Sequence, residues 1–335
     1  MSTTLRAKKF SEVMAYTAPP PIHLRELEDR LRSSPGLSQK AGIKAAYESI
    51  GDSVRLPHVF GSAMVRLGDD CAALQTADGW LLFAIEGLIE GFVNDAPWFA
   101  GYSAVMVNLS DISAMGGRPM AVTDALWLGS EAKAKEVWAG MLAASLAYGV
   151  PIVGGHTAHG SQRTNLAVSV LGRAHRLLTT FDAKPGDQLL VVVDLRGELF
   201  DDYPFWNAST HAPPQQLRDD LELMPKLAED GLCCAARDVS MGGIVGTLIM
   251  ILENSGVGAL IDLEAIPQPE HLPLDLWLTC FPSFGYILSV PERYAEEVRN
   301  RFLARDLACE AVGTVNLEGC LDFRLGSEQR RFWKF

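Results

Sequence analysis

Five short segments of this chain place acidic, amide or imidazole side chains where a buried strand meets a turn or a helix end. They are Gly68-Asp69-Asp70-Cys71, Glu86 after the apolar run Leu81–Ile85, Asn108-Leu109-Ser110-Asp111, Gly154-Gly155-His156-Thr157, and Asp238-Val239-Ser240 ahead of Gly242-Gly243. Carboxylates are rare in such places unless something compensates their charge. Hard oxygen donors at this density suit magnesium, which ties carboxylates to the phosphates of a nucleotide. The pattern points to a magnesium–nucleotide site.

Each segment has a plainer alternative. Asp69 and Asp70 offer two carboxylates after Gly68, whose backbone can approach a ligand closely; Gly-Asp-Asp is also an ordinary solvated turn. Glu86 leaves a buried strand and is a better ligand candidate than Glu90, which suits an exposed helix position or an ion pair. Asn108 and Asp111, three apart on an otherwise apolar helix, project together and need partners, in a ligand or in a hydrogen-bond network. Arg118, just past that helix, is aimed at a phosphate or at solvent. Gly154 and Gly155 open the backbone ahead of His156, which is either part of the site or a hydrogen-bonded structural residue. Asp238 or Ser240 caps the next helix, whose first N–H groups suit phosphate oxygens.

The elements that must hold these residues read clearly in places. Helices are expected at His23–Ser33 and Ser38–Ser49, with the turn Ser34-Pro35-Gly36 between them. Gly61–Asp70 reads as a strand entering the first acidic pair, and Trp80–Ile85 as a buried strand. Gly101–Met115 has helical periodicity and stops at Gly116-Gly117 before the strand Pro119–Leu128. Ser130 caps a helix expected to turn Ala134, Val137, Trp138, Met141, Leu142, Ser145 and Leu146 inward. Strands follow at Pro151–Val153, delivering Gly154–Thr157, and at Leu166–Leu171. Lys184-Pro185-Gly186-Asp187 turns the chain into a new strand, Gln188–Val193, and marks a domain boundary within Thr179–Asp187. Helices at Leu217–Glu229, Gly242–Ser255 and Arg293–Arg305 alternate with strands at Ser283–Val290, Ala311–Val315 and Cys320–Leu325. Interleaved elements in both halves predict a two-domain α+β (α/β) protein.

Composition narrows the function. The 335 residues suffice for about two domains. Apolar residues at 48% and charged residues at 21% are those of a globular chain. A net charge of −12 argues against nucleic-acid or anionic-membrane partners and makes a polyphosphate ligand depend on cations. No run of about 18 uncharged apolar residues suggests a membrane helix, and the stretch before Pro21 lacks the apolar core of a secretory signal. Six cysteines without CxxC spacing fit neither zinc nor a disulfide framework; reduced thiols of a cytoplasmic protein are expected. The P-loop, the Gly-x-Gly-x-x-Gly turn and His-Glu-x-x-His are all absent.

The ordered series Gly68-Asp69-Asp70-Cys71-Ala72, Leu88-Ile89-Glu90-Gly91, Val107–Pro119, Asp238-Val239-Ser240 and Ser255-Gly256-Val257-Gly258 resembles a known superfamily. Its members include aminoimidazole ribonucleotide (AIR) synthetase, thiamine-monophosphate kinase, selenophosphate synthetase and the hydrogenase maturation dehydratase. The match begins near Arg66, is closest to the kinase in these motifs, and as a whole looks most like the synthetase-related branch. The resemblance implies an ATP- and magnesium-dependent homodimer acting on a small molecule. It implies a tail and helices over 1–60, a nucleotide-binding domain with a dimer-forming sheet over 61–178, and an α/β sandwich domain over 179–335. It assigns Asp69, Asp70, Glu86 and Asp238 to the metal, and Asn108, Asp111 and His156 to orienting nucleotide or acceptor. Gly68, Asp70, Asn108, Arg118, Gly154, Gly155 and Ser240 would contact the nucleotide.

This chain departs from the family at several points. Glu86 stands for an aspartate of the kinase, Val93 for a frequent histidine, and Met241 for the second aspartate of Asp-x-Ser-Asp. His156 follows Gly155 as in selenophosphate synthetase, and no reactive Cys/Lys segment precedes Asp69. Expected activities are therefore terminal phosphoryl transfer or ATP-driven activation of an amide, carboxyl or phosphate oxygen. The alternatives are a nucleotide-binding regulatory or scaffold protein without turnover, and a metal-dependent hydrolase that uses no nucleotide. An aromatic-rich loop at Tyr203–His211, with Trp206 and Asn207, is a candidate acceptor wall or an ordinary surface loop.

Overall fold

The computed structural model describes residues 23–40 and 66–335. Most of the helix expected at Ser38–Ser49 and the start of the expected Gly61–Asp70 strand lie outside these residues; 67–71 run as bends rather than as strand.

The N-terminal half is a five-stranded sheet of β1 (Ala72–Thr76), β2 (Gly79–Gly87), β3 (Arg118–Leu128), β4 (Ile152–His159) and β5 (Asn165–Ala174), in the order β1-β2-β5-β3-β4. Only β3–β4 is parallel; the other neighbours are antiparallel. Alternation along the strands sends Leu82, Ala84, Val122, Leu126, Val168 and Val170 to one face, where they are buried. That face is covered by a helical layer in which α3 (Glu90–Asp95) leads into α4 (Pro97–Ala114), packed in turn against α5 (Glu131–Tyr148). Helix α4 starts one turn earlier than expected because Pro97 takes the first helical position, where its missing N–H costs nothing. It is buried on nearly every side.

The inward face of α5 differs from expectation. Ala134, Val137, Met141 and Ser145 are buried together with Ala144 and Tyr148, but Trp138, Leu142 and Leu146 are 40%, 54% and 65% exposed. The cause is Gly140, whose missing side chain lets the helix approach the Trp98 carbonyl of α4 so closely that any Cβ would collide with it. The small residues beside Gly140 go in, and the bulkier stripe turns outward.

The C-terminal half is a seven-stranded sheet between two helical layers. Its strands are β6 (Asp187–Val193), β9 (Ala235–Asp238), β10 (Gly258–Asp262), β12 (Gly285–Pro291), β13 (Ala308–Asn316), β14 (Cys320–Leu325) and β15 (Glu328–Lys334), ordered β15-β14-β10-β13-β6-β12-β9. The run Leu189–Val193 is apolar without alternation because both faces are covered. Leu189, Val191 and Val193 meet α8 (Gly243–Ser255), while Leu190 and Val192 meet α7 (Leu223–Asp230) and α10 (Glu292–Leu303). Helix α1 (Leu24–Arg32) adds Leu24, Leu27 and Leu31 to the α8 side, against α9 (Leu274–Thr279) and β15. Helix α2 (Pro35–Lys40) follows it.

A single helix expected at Leu217–Glu229 is two, α6 (Pro214–Leu221) and α7. Pro225 has no N–H to give the Leu221 carbonyl, which instead accepts from Ser113 Oγ at 3.1 Å. A small sheet of β7 (Glu198–Leu199), β8 (Phe205–Asn207) and β11 (Phe281–Pro282) joins the halves near the aromatic loop. The whole is a two-domain α+β fold, as the interleaved elements predicted. Among the described residues no helix is long and apolar enough to cross a membrane.

Candidate functional site

A cavity of about 370 Å³ opens between the halves. Its polar edge carries Glu86, Asp111, Asp238 and Ser240; its apolar wall is built from Phe92, Phe99, Phe205, Phe281 and Met241. Three elements deliver the acids. Asp111 projects from the last turn of α4, Asp238 ends the edge strand β9, and Asp70 sits on the bend segment before β1. Asp70, Asp111 and Asp238 each bring a carboxylate oxygen within 4.8 Å of the other two.

Two observations suit this trio to a cation. Asp111 is buried, and its Oδ2 has no hydrogen-bond partner among the described residues, an arrangement that costs energy unless an ion or water occupies the gap. Burial, then the charges of Asp238, Glu86 and Asp70, push its carboxyl well above the usual range. A hard divalent ion satisfies both conditions with oxygen ligands alone.

The Asp69-Asp70 segment is tied to the C-terminal half. Asp69 accepts the Thr180 N–H at 3.1 Å and the Asp70 N–H at 3.1 Å. Burial and the adjacent Asp70 raise its carboxyl to about 7. Asp70 splits its oxygens: Oδ1 pairs with Arg237 Nη2 at 2.9 Å, and Oδ2 accepts the Asp238 N–H at 3.3 Å. Gly68, at φ +106°, holds a turn that other residues adopt with strain, and its carbonyl accepts from Arg237 Nη1 and Asn254 Nδ2.

Glu86 shares the parity of Leu82 and Ala84 on β2, so it faces the helical side and reaches the cavity. Ser240 stands there as well, at the start of α8, where the turn Ser240–Gly243 exposes helix N–H groups. Asn108 is fully buried and does not line the cavity; its Nδ2 donates back to the Ala104 carbonyl at 2.8 Å, and its Oδ1 finds no partner among the described residues. Glu90 forms an ion pair with Arg163 at 2.6 Å.

Two expectations meet a different placement. Arg118 is not turned to the cavity. Its guanidinium is clamped between Glu222 and Glu229, both 2.6 Å away, and so ties β3 to the C-terminal half. Gly154, Gly155 and His156 lie within β4 rather than at its end. His156 is in register with Ala125, which pairs with Ala167, which pairs with Gly87. This chain of partners puts His156 on the face that also carries exposed Phe83 and Ile85, so the sheet itself stands between His156 and α4.

The aromatic loop divides. Phe205 and Trp206 line the cavity, with Tyr203 stacked on Phe205 at 5.3 Å. Asn207 and His211 line a separate opening of about 390 Å³. Arg237 was not anticipated. The signal for it is a cation inside the buried run Ala235–Val239, directly before Asp238.

Two family models match this chain: the N-terminal domain of AIR synthase related protein over residues 68–174 and the C-terminal domain over 186–324. A protein of Synechocystis sp., "Uncharacterized protein sll0787", is 48% identical over 270 residues, 80% of this chain and 84% of that one. The thiamine-monophosphate kinase of Pyrococcus horikoshii is 30% identical over 246 residues, 68% of this chain and 77% of the kinase. Among solved structures, Thermotoga maritima PurL complexed with ATP superposes with a TM-score of 0.70 at 18% identity, over 92% of this chain and 53% of PurL. The chain thus spans about half of PurL.

Proposed function

This chain belongs to the AIR synthase related protein family, and from that premise we propose that it is an ATP- and magnesium-dependent enzyme that transfers or activates a phosphoryl group on a small metabolite. The acceptor atom is an amide, carboxyl or phosphate oxygen. The observation that carries the reading is the convergence of Asp70, Asp111 and Asp238 from three separate elements at a cavity edge, with the Asp111 Oδ2 lacking any partner among the described residues.

Asp70, Asp111 and Asp238 would hold the ion, with Glu86 beside them. Magnesium there would neutralise phosphate charge as it develops on the transferring group. Ser240 and the start of α8 offer donors to phosphate oxygens. The aromatic wall of Phe92, Phe205 and Phe281 excludes water and seats a ring, of the nucleotide or the acceptor. Asp69 serves this site indirectly, by fixing the position of Asp70 through Thr180.

A homodimer fits the same reading. The face of the N-terminal sheet turned away from α4, uncovered by any described residue, exposes Phe83, Ile85, Trp127 and Leu171, an apolar face of a kind that soluble proteins bury against a partner. A binding protein without turnover is favoured by one observation, that Arg237 already neutralises Asp70.

Calorimetry with ATP, with and without magnesium, on the wild type and Asp70→Asn tests the proposal. Magnesium-dependent affinity that the substitution weakens by on the order of tenfold or more is expected. Affinity indifferent to both metal and substitution would refute it. ADP release with a panel of amide, carboxylate and phosphate acceptors then separates turnover from binding alone.

A further inference from the structure

Arg237 is the one cation seen among these acids in the described residues, and its position is unusual. It is buried, on a strand that is otherwise apolar up to Asp238. Strand alternation sends Arg237 and Asp238 to opposite faces of β9, and Asp70 spans the strand edge between them. The guanidinium makes two contacts, Nη2 to Asp70 Oδ1 at 2.9 Å and Nη1 to the Gly68 carbonyl at 3.1 Å. Its Nε has no partner among the described residues. A buried arginine with an unmatched N–H is a costly choice for a residue that only packs. Its field falls most on Asp70, then on Asp238, Asp69 and Asp111.

The geometry points to Arg237 as a built-in cation of the site: its guanidinium, held on Asp70 Oδ1, supplies at the Asp69-Asp70 pair the positive charge that a second divalent ion would otherwise bring, so the carboxylates hold a single ion at Asp70, Asp111 and Asp238. This rests on reading that trio as an ion site. Two adjacent carboxylates at a strand edge are otherwise a second place for a hard cation, and here one of their oxygens is already committed to a fixed positive charge. The arginine also positions Asp70, because it grips both that side chain and the carbonyl of Gly68.

Manganese binding to the full-length protein, counted by the loss of the free-ion paramagnetic resonance signal, tests the assignment without any turnover. Wild type should take up one ion. Arg237→Met and Arg237→Gln should take up two, with the first bound on the order of tenfold more tightly because a nearby like charge is gone. Arg237→Lys, which keeps the charge, should return to one. Glutamine can still donate to Gly68, so it separates charge from packing. One ion in wild type and one in both neutral variants would overturn the role of Arg237 alone. No manganese uptake by wild type would overturn the ion site itself. Neutral variants that fold only with manganese present would support the assignment, and variants that fail to fold with or without it would overturn it in favour of a packing role.

Discussion

Replacing Asp111 by asparagine should stabilise the protein when no metal is present and abolish its stabilisation by metal and nucleotide. The three carboxylates of the trio present oxygens within 4.8 Å of one another. Two unit charges about 5 Å apart at an effective dielectric of about 20 repel by roughly 3 kcal/mol. Arg237 offsets part of that, and Asp111 relieves more by taking up a proton, since burial and its acidic neighbours raise its carboxyl. A net gain of about 1–2 kcal/mol remains for the variant in chelator, an upward shift of about 1.5–3 °C for a chain of this size. With ligand at about 100 times its dissociation constant, wild type should gain about 2.7 kcal/mol and overtake the variant. The pH dependence follows from the same acids. Asp69, raised to about 7, and Asp111, also raised, hold more protons in the folded than in the unfolded chain above the ordinary carboxyl range. Their contribution to metal-free stability is therefore largest at low pH; that of Asp69 is lost as pH climbs from about 4 towards 7, and that of Asp111 falls in the same direction. Urea midpoints in chelator at pH 5 and pH 7.5 should show this decline, and Asp111→Asn should flatten it. A variant less stable than wild type in chelator, or one that keeps the full shift with magnesium and ATP, would refute the reasoning.

Arg118→Ala should lower stability by about 1 kcal/mol after allowance for solvent screening, with an effect that shrinks in high salt, because the clamp on Glu222 and Glu229 is partly exposed. Nucleotide affinity by calorimetry should stay nearly unchanged; a fall on the order of tenfold would return Arg118 to a phosphate role. Ile85→Lys, on the uncovered sheet face, should halve the mass seen by light scattering without loss of the folded far-UV spectrum. An unchanged mass would rule that face out as the dimer contact.

The amino-acid sequence by itself determined the fold class and the family. Hydrophobic periodicity and turn residues are local signals, and Asn108–Pro119, Gly68–Ala72 and Asp238–Ser240 carry their pattern within a few residues of chain. What each polar group touches was not legible there. Asp69 and Asp70 are neighbours in sequence, yet one accepts from Thr180 and the other from Asp238 and Arg237, partners more than a hundred residues away. Arg118 meets its two glutamates only because β3 comes against α7, from Glu222 just before it to Glu229 in its last turn. His156 falls on the uncovered face because a shift of one residue along a strand reverses the side it points to, and strand register is set by pairing across the sheet. The same holds for α5, whose inward side was decided by a backbone contact at Gly140 rather than by the size of its apolar residues. Residue type states what chemistry a position can do; the long-range packing of the chain decides which charges meet, and only that meeting makes a site.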